Sequence, residues 1–301
     1  MKARELGRHR LTNLQVASSR CTSAAGVVAV LGAMQAQDYA GGLWAVGVRL
    51  PGSTLPDIER AVSDRSIVRS WPMRGTLHFV AAQDLGWLLD LLAARVLKAS
   101  SKRREALALD TATLGKIEKT VVRALEGGKQ LTRDALGDVL TRAKLSPDDG
   151  RLYHSLFWLS VRQVLCFAVP EGKQQTFALL DEWLPKPTRL DKDAALSRLA
   201  TRYFRSHGPA TQQDLMRWAG LTSAEAKQGI ASAASLASED VEGVCHHLPD
   251  DQPALSAESK GTFLLPGFDE YILGYRDRTA ILDAEHASKI VPGANGVFRP
   301  T

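Results

Sequence analysis

The stretch LTRDALGDVLTRAKLSPDDGRLYHSLFWLSVRQVLCFAVPEGKQQTFALL, Leu131 to Leu180, decides the fold. Thr132 is placed to cap a helix whose inner face carries Leu136, Val139 and Leu140. A second helix begins near Asp148 and sets Leu152, Leu156 and Leu159 at helical spacing, leaving Arg151, Tyr153, His154 and Arg162 for other faces. Val164 to Val169 then reads as a β-prone strand, Glu171-Gly172-Lys173 as a turn and Thr176 to Leu180 as the returning strand. The order is helix, helix, hairpin.

That order recurs on both sides. Downstream, Gly208-Pro209 ends a helix, Thr211 caps the next with Asp214 three residues on, and Thr222 caps another from Ser223 to about Leu236, followed by the strand-like Val241 to Leu248. Thr132 and Thr211 read as equivalent positions. Upstream, a helix from about Ala24 to Met34 precedes a hairpin of Ile67 to Ser70 and Thr76 to Val80, with Trp71 to Gly75 as its turn. These readings predict a mainly α chain with β-hairpin wings (α+β). Three tandem winged helices are expected over 1–105, 106–188 and 189–258, and a smaller β-rich, barrel-like segment over 259–301 closes the chain. A single helix-turn-helix can be a packing motif, but three in tandem favour DNA, with second helices facing the groove and wings touching backbone. The second helix of the last unit opens Ser223-Ala224-Glu225-Ala226-Lys227, which is poor in charge for that task.

Composition agrees with a globular chain of two or three units: 301 residues, 45% hydrophobic. Lys and Arg number 38 against 33 acids, a net +5 that is unevenly spread. Lys2, Arg4, Arg8, Arg10 and Arg20 cluster at the start, and Arg95, Lys98, Lys102, Arg103 and Arg104 form a second group. Either suits a polyanion or a solvated helix face. Cys21, Cys166 and Cys245 are odd in number and far apart, as in a reducing compartment. The apolar run Ala24 to Met34 starts after twenty mostly polar residues and is too short for a bilayer. The expectation is a cytoplasmic, nucleoid-associated monomer with no membrane segment.

Three segments, LGAMQAQDYAGGLWAVGVRLPG (Leu31–Gly52), IVRSWPMRGTLHFV (Ile67–Val80) and LLPGFDEYILGYRDR (Leu264–Arg278), in this order and joined by helix-hairpin units, resemble the bacterial winged-helix DNA glycosylases that include AlkZ and YcaQ. The likeness covers nearly the whole chain. It implies tandem winged helices around a concave, DNA-sized channel with a small C-terminal β-barrel. It also implies a catalytic pair: AlkZ-like members carry two glutamines flanking an apolar residue, matched here by Gln35-Ala36-Gln37. YcaQ-like members have aspartate at the second position; here Asp38 follows and could lend a carboxylate. Relatives continue beyond the final segment with further strand, so a barrel ending at Thr301 is expected to be incomplete, with an exposed edge.

Glycosidic cleavage usually uses two carboxylates. A guanine alkylated at nitrogen-7 already carries positive charge, so its departure needs little protonation and the burden shifts to the water. A glutamine offers both a carbonyl acceptor and an amide donor, so a pair can hold water at the anomeric carbon. Residues two apart share a side only where the backbone is extended. Gly41-Gly42 is expected to end the preceding helix and leave Gln35 and Gln37 on an extended exit; the alternative is a solvated helix end. Trp44, Trp71 and Tyr39 could stack on a displaced base. Trp44, Trp87 and Trp158 are assigned to the core, and Trp71 is left open because it sits in the turn. Arg69 and Arg74 flank that turn as phosphate contacts or as partners of local carboxylates.

His78 faces either the channel or a core carbonyl, and the residues leave both open. Cys245-His246-His247 lacks a partner pair and adjacent strand residues point to opposite faces, so no metal is expected. Asp269 and Glu270 could act in acid-base chemistry, but Asp269 is assigned to a structural pair with Arg278, and Tyr271 and Tyr275 to inward packing at helical spacing. No phosphate-binding glycine motif is present, so no nucleotide cofactor is expected. The sequence thus points to a monofunctional glycosylase acting on bulky or crosslinked N-alkylpurines in double-stranded DNA. Gln35 and Gln37 are its centre, Asp38, His78 and Asp269 their support, and Arg69, Trp71, Arg74, Lys98, Lys102, Arg103 and Arg104 its DNA contacts. The alternative is a non-catalytic winged-helix DNA-binding protein, a regulator or chromatin-associated factor.

Overall fold

The computed structural model describes residues 2–255 and 257–290 and forms two compact units, residues 1–59 with 190–301 and residues 60–189. This grouping divides the first expected segment within the helix Leu55–Ser63, ahead of its hairpin. Small antiparallel sheets are set among helices throughout.

In the 60–189 unit, Asp110 caps the helix Thr111–Leu125 and Thr132 caps Arg133–Arg142, each oxygen taking a backbone N–H of the first turn at 2.7 and 3.2 Å. The next helix runs Arg151–Val161, three residues later than expected. Asp149 and Gly150 adopt φ of 54° and 87°, so the helix cannot extend back to Asp148. Leu165–Phe167 pairs with Thr176–Leu179 in the register Leu165 to Leu179 and Phe167 to Phe177, and Leu131–Thr132 lies on the other side of Thr176–Leu179. Leu114, Ile117, Val121, Leu136, Leu140, Leu156 and Leu159 fill the space between helices and sheet. Each contributes about 1.5–3 kcal/mol by leaving water.

The hairpin Ile67–Met73 and Thr76–Ala81 corrects the expected turn. Its strand continues through Trp71 to Met73, with an irregularity between Ser70 and Met73. Pro72, which has no N–H for the ladder, lies in that irregular stretch. Arg74 and Gly75, with φ of 55° and 76°, make the two-residue turn whose twist suits paired strands. Trp71 is therefore a strand residue, 1% exposed, edge-on to Phe157 and tilted against Phe167.

In the other unit the helix Lys192–His207 packs against Ala3–Asn13, Ala24–Leu31 and Ser223–Ser232. Thr211 and Thr222 close capping boxes with Asp214 and Glu225. The strand expected at Val241–Leu248 is instead the turn and second arm of a hairpin, Leu236–Val241 with Val244–Pro249, turning at Glu242-Gly243. Its first arm is mostly exposed and polar, so its apolar signal is weak. The helix from Ala24 ends at Leu31, because Gly32 takes φ 83°. Gly41 and Gly42 do not end it; they lie inside the following helix, Tyr39–Val48.

The closing β-rich segment is also corrected. Among the described residues 257–290 there is a 3-10 turn and two short helices, Glu270–Leu273 and Ala284–Ile290, and no strand. Asp269 caps the first of these helices, which turns the apolar Tyr271-Ile272-Leu273 run into a helical turn. The chain's last residues, and with them the expected incomplete barrel edge, lie outside the described residues. No described helix is long and apolar enough to cross a membrane.

Candidate active site

The glutamine segment is set by what surrounds it in its own unit. Gly32 breaks the helix, Met34–Gln35 is extended, and the chain enters the next helix at Tyr39. Gln35 is half-buried, Ala36 is buried and Gln37 is exposed. The Gln35 backbone N–H donates to Glu270 Oε1 at 2.9 Å, whereas its side-chain oxygen is buried and takes no hydrogen bond from the described protein. Asp38 is exposed at the N-cap position of the Tyr39–Val48 helix without a cap hydrogen bond.

Asp269 and Glu270, adjacent in sequence, fasten the two ends of this segment. Asp269 forms a two-point ion pair with Arg49, at 2.7 and 2.8 Å, with both side chains essentially inaccessible. Arg49 also donates to the carbonyls of Leu14 and Ala45. Burial alone would lower the Arg49 pKa, but Asp269 beside it holds the guanidinium above its ordinary value. The expected partner Arg278 instead donates to the Ile272 carbonyl. Tyr275 is fully buried beyond the end of the short helix and donates to the His207 carbonyl, while Tyr271 is only half-buried.

Glu270, 1% exposed, is the feature whose full role the sequence left unread. Its Oε2 accepts the Trp218 indole N–H at 2.8 Å and faces His207 Nε2 at 3.4 Å, while Oε1 holds Gln35. The available signal was a carboxylate inside an apolar, aromatic run, LLPGFDEYILGY.

Four assignments are revised by exposure and hydrogen bonding. Trp71 belongs to the core of the 60–189 unit and presents no face to DNA. Arg69 is 6% exposed, donates to Gln175 Oε1 at 2.8 Å and lies over Phe167, so it is a packing residue rather than a phosphate contact. Trp44, assigned to the core, is 56% exposed, its indole N–H donating to the Leu264 carbonyl. Arg104 is half-buried and donates to Leu97 O and Ser100 Oγ at the end of the helix Leu85–Ala99, which makes it a helix cap. Trp87 and Trp158 are buried.

His78 is fully buried; its Nδ1–H donates to the Thr76 carbonyl and its Nε2 accepts from Arg74. Arg74 itself is exposed at the hairpin tip. Lys98, Lys102 and Arg103 are exposed on consecutive helices, Leu85–Ala99 and Ser101–Ala106. His154, near them, has its pKa lowered, first by burial and then by Arg103 and Arg104. Of the Cys245-His246-His247 run, only His246 is buried, its ring bonded to the Val244 carbonyl. Asp283, Glu285 and His286 cluster at the surface.

The family described as DNA glycosylase AlkZ-like has a model that matches residues 28–301. A curated protein of Streptomyces sahachiroi, an interstrand DNA cross-link repair glycosylase, is 29% identical over 302 residues, spanning 91% of this chain and 78% of its own length. The solved structure of the Streptomyces sahachiroi DNA glycosylase AlkZ superposes with a TM-score of 0.78 at 25% identity, covering all of this chain and 84% of that one.

Proposed function

Since the chain belongs to the AlkZ-like DNA glycosylase family, we propose that it hydrolyses the N-glycosidic bond of bulky or crosslinked N-alkylpurines in double-stranded DNA. The observation that carries this reading is the family match running through the Gln35-Ala36-Gln37 segment, in which Gln35 stands on extended backbone with a buried, unbonded side-chain oxygen and Gln37 lies in the exposed bend that follows. In an alkylated purine the positive charge makes the base its own leaving group. The bond from the sugar C1′ breaks with its electron pair passing to the base, which departs neutral. Gln35 accepts a hydrogen bond from the attacking water, Gln37 orients it, and the excess proton goes to solvent. Neither glutamine needs to titrate. Asp38, exposed beside the pair, favours the positive charge that develops on the sugar. The reaction so written calls for neither metal nor nucleotide cofactor.

The three helix-hairpin segments, 1–105, 106–188 and 189–258, serve in this reading as winged helices that hold the duplex open to water. Such an arrangement admits a lesion bridging both strands, which a closed pocket for a flipped base would not. Arg74, Lys98, Lys102 and Arg103 are its phosphate contacts. The protein acts as a monomer in the cytoplasm, at the nucleoid.

The test is release of free base from a duplex bearing one nitrogen-7-alkylguanine. The wild type releases it and leaves undamaged DNA intact; Gln37→Ala folds, binds DNA and does not release it. Equal turnover by the variant rejects the glutamine assignment. Tight, salt-dependent binding by the wild type with no release would make the chain a DNA-binding protein without this activity.

A further inference from the structure

Glu270 lies 235 residues from Gln35 in sequence and is bonded to it. Three N–H groups, from Gln35, Trp218 and His207, converge on its two oxygens. The surrounding parts are themselves fixed. The His207 ring stacks on Tyr203 at 4.7 Å and 14°, and the Tyr203 hydroxyl donates to the Gly274 carbonyl at 2.7 Å. A Cβ on Gly274 would lie 2.6 Å from the His207 ring, so only glycine lets the short helix after Asp269 close against it. A carboxylate 1% exposed is costly to desolvate, and the hydrogen bonds it accepts offset that cost; an apolar side chain in its place would leave the Gln35 and Trp218 N–H groups without their acceptor. Its retained value lies in the acceptor it presents to the backbone of residue 35.

We propose that Glu270 is a positioning residue for base release, setting through the Gln35 N–H the backbone from which both glutamines project. The inference rests on the reading of Gln35 as the water-holding residue. Ionised, Glu270 accepts all three donors. Glutamine in its place cannot, because whichever way its amide turns, its NH2 meets either the Gln35 N–H or the pair from Trp218 and His207. The glutamines then lose their setting while the DNA contacts, borne on other elements, do not.

The experiment follows release of 7-methylguanine from a methylated duplex by the wild type, Glu270→Gln, Gln35→Ala and the double variant, with DNA affinity and thermal melting measured alongside. The expected result for Glu270→Gln is a kcat lower by on the order of 100-fold, as for a reacting group displaced by about 1 Å, with KM and DNA affinity unchanged. On the Gln35→Ala background the same change adds less than about 3-fold, since residues acting as one unit are not additive. A wild-type kcat for folded Glu270→Gln, or the full loss repeated on Gln35→Ala, overturns the proposal. If Glu270→Gln fails to fold, Trp218→Phe removes one donor and keeps a ring; a lower kcat at unchanged KM upholds the proposal, and a wild-type kcat overturns it. Full activity of Gln35→Ala would instead sink the glutamine reading, a result distinct from active Glu270→Gln beside inactive Gln35→Ala.

Discussion

Replacing Asp269 by alanine tests whether the buried ion pair fastens the glutamine-bearing unit. In the folded protein Arg49 is wholly inaccessible, and Asp269 supplies two of its hydrogen bonds, at 2.7 and 2.8 Å. Asp269→Ala leaves a buried guanidinium whose remaining hydrogen-bond acceptors among the described residues are the Leu14 and Ala45 carbonyls. Removing one partner of such a pair costs about 3–5 kcal/mol. For a unit of this size, each kcal/mol lowers Tm by about 2–4 °C, so the fall is roughly 6–20 °C. Urea unfolding followed by far-UV circular dichroism reads the energy directly, and a thermal scan reads the shift. The double variant Arg49→Met with Asp269→Leu removes both charges and recovers most of the loss, because an apolar pair has no stranded ion. A loss below about 1 kcal/mol for Asp269→Ala would refute the reasoning, since water or another group then satisfies Arg49, and so would a double variant as unstable as the single, since the loss then does not come from a stranded charge.

Two further outcomes concern the surface at Lys98, Lys102 and Arg103. If these exposed residues contact phosphates, replacing each by alanine lowers the slope of log affinity against log salt by about 0.9, close to 2.7 for all three, whereas Arg69→Ala leaves the slope unchanged. His154, whose pKa is lowered by burial and then by Arg103 and Arg104, titrates below its ordinary value in the folded protein. The unfolded chain therefore binds the extra proton first, and the His154 contribution to stability is complete above about pH 6.5 and is lost as pH falls through the folded pKa. Proton NMR titration should show the pKa rising part of the way back in Arg103→Gln, and rising on DNA binding as phosphates offset the basic field; no movement in either case removes the cluster from the binding surface.

Local chemistry was legible where one residue decides it. Thr132, Thr211 and Thr222 cap the helices they announced, because a short hydroxyl beside an apolar run has few other uses. The Leu136 and Leu140 face was readable from helical period, and the returning strand, expected over Thr176 to Leu180 and found at Thr176–Leu179, from the β-prone run and turn before it. The turn after Ile67 was misjudged because Trp and Pro in a row read as a break, whereas the strand carries them through an irregularity and turns only at Arg74-Gly75. Burial of long side chains was the least legible. Arg69 and Trp71 sit on a hairpin that is covered on both sides, and nothing in IVRSWPM distinguishes that from a wing with one face in solvent.

The same limit explains why the family resemblance could point to the proposed glutamine pair while Glu270 could not be given its place. Gln35-Ala36-Gln37 is contiguous, so a motif three residues long exposes it. The hydrogen bond from residue 35 to residue 270, like the ion pair from 49 to 269, joins positions 235 and 220 residues apart, and no local period encodes either. What the sequence did hold was a cost: two adjacent acids amid Leu, Phe, Tyr and Ile must each find partners once buried. Asp269 finds a cation and Glu270 finds three N–H groups, one of them on the glutamine backbone. Two neighbouring carboxylates thus hold both ends of the stretch from Gln35 to Arg49, and the geometry of Gln35 becomes a property of the whole unit's fold. Substitutions around His207, Trp218 and Gly274 should therefore register first in kcat, before they register in DNA affinity.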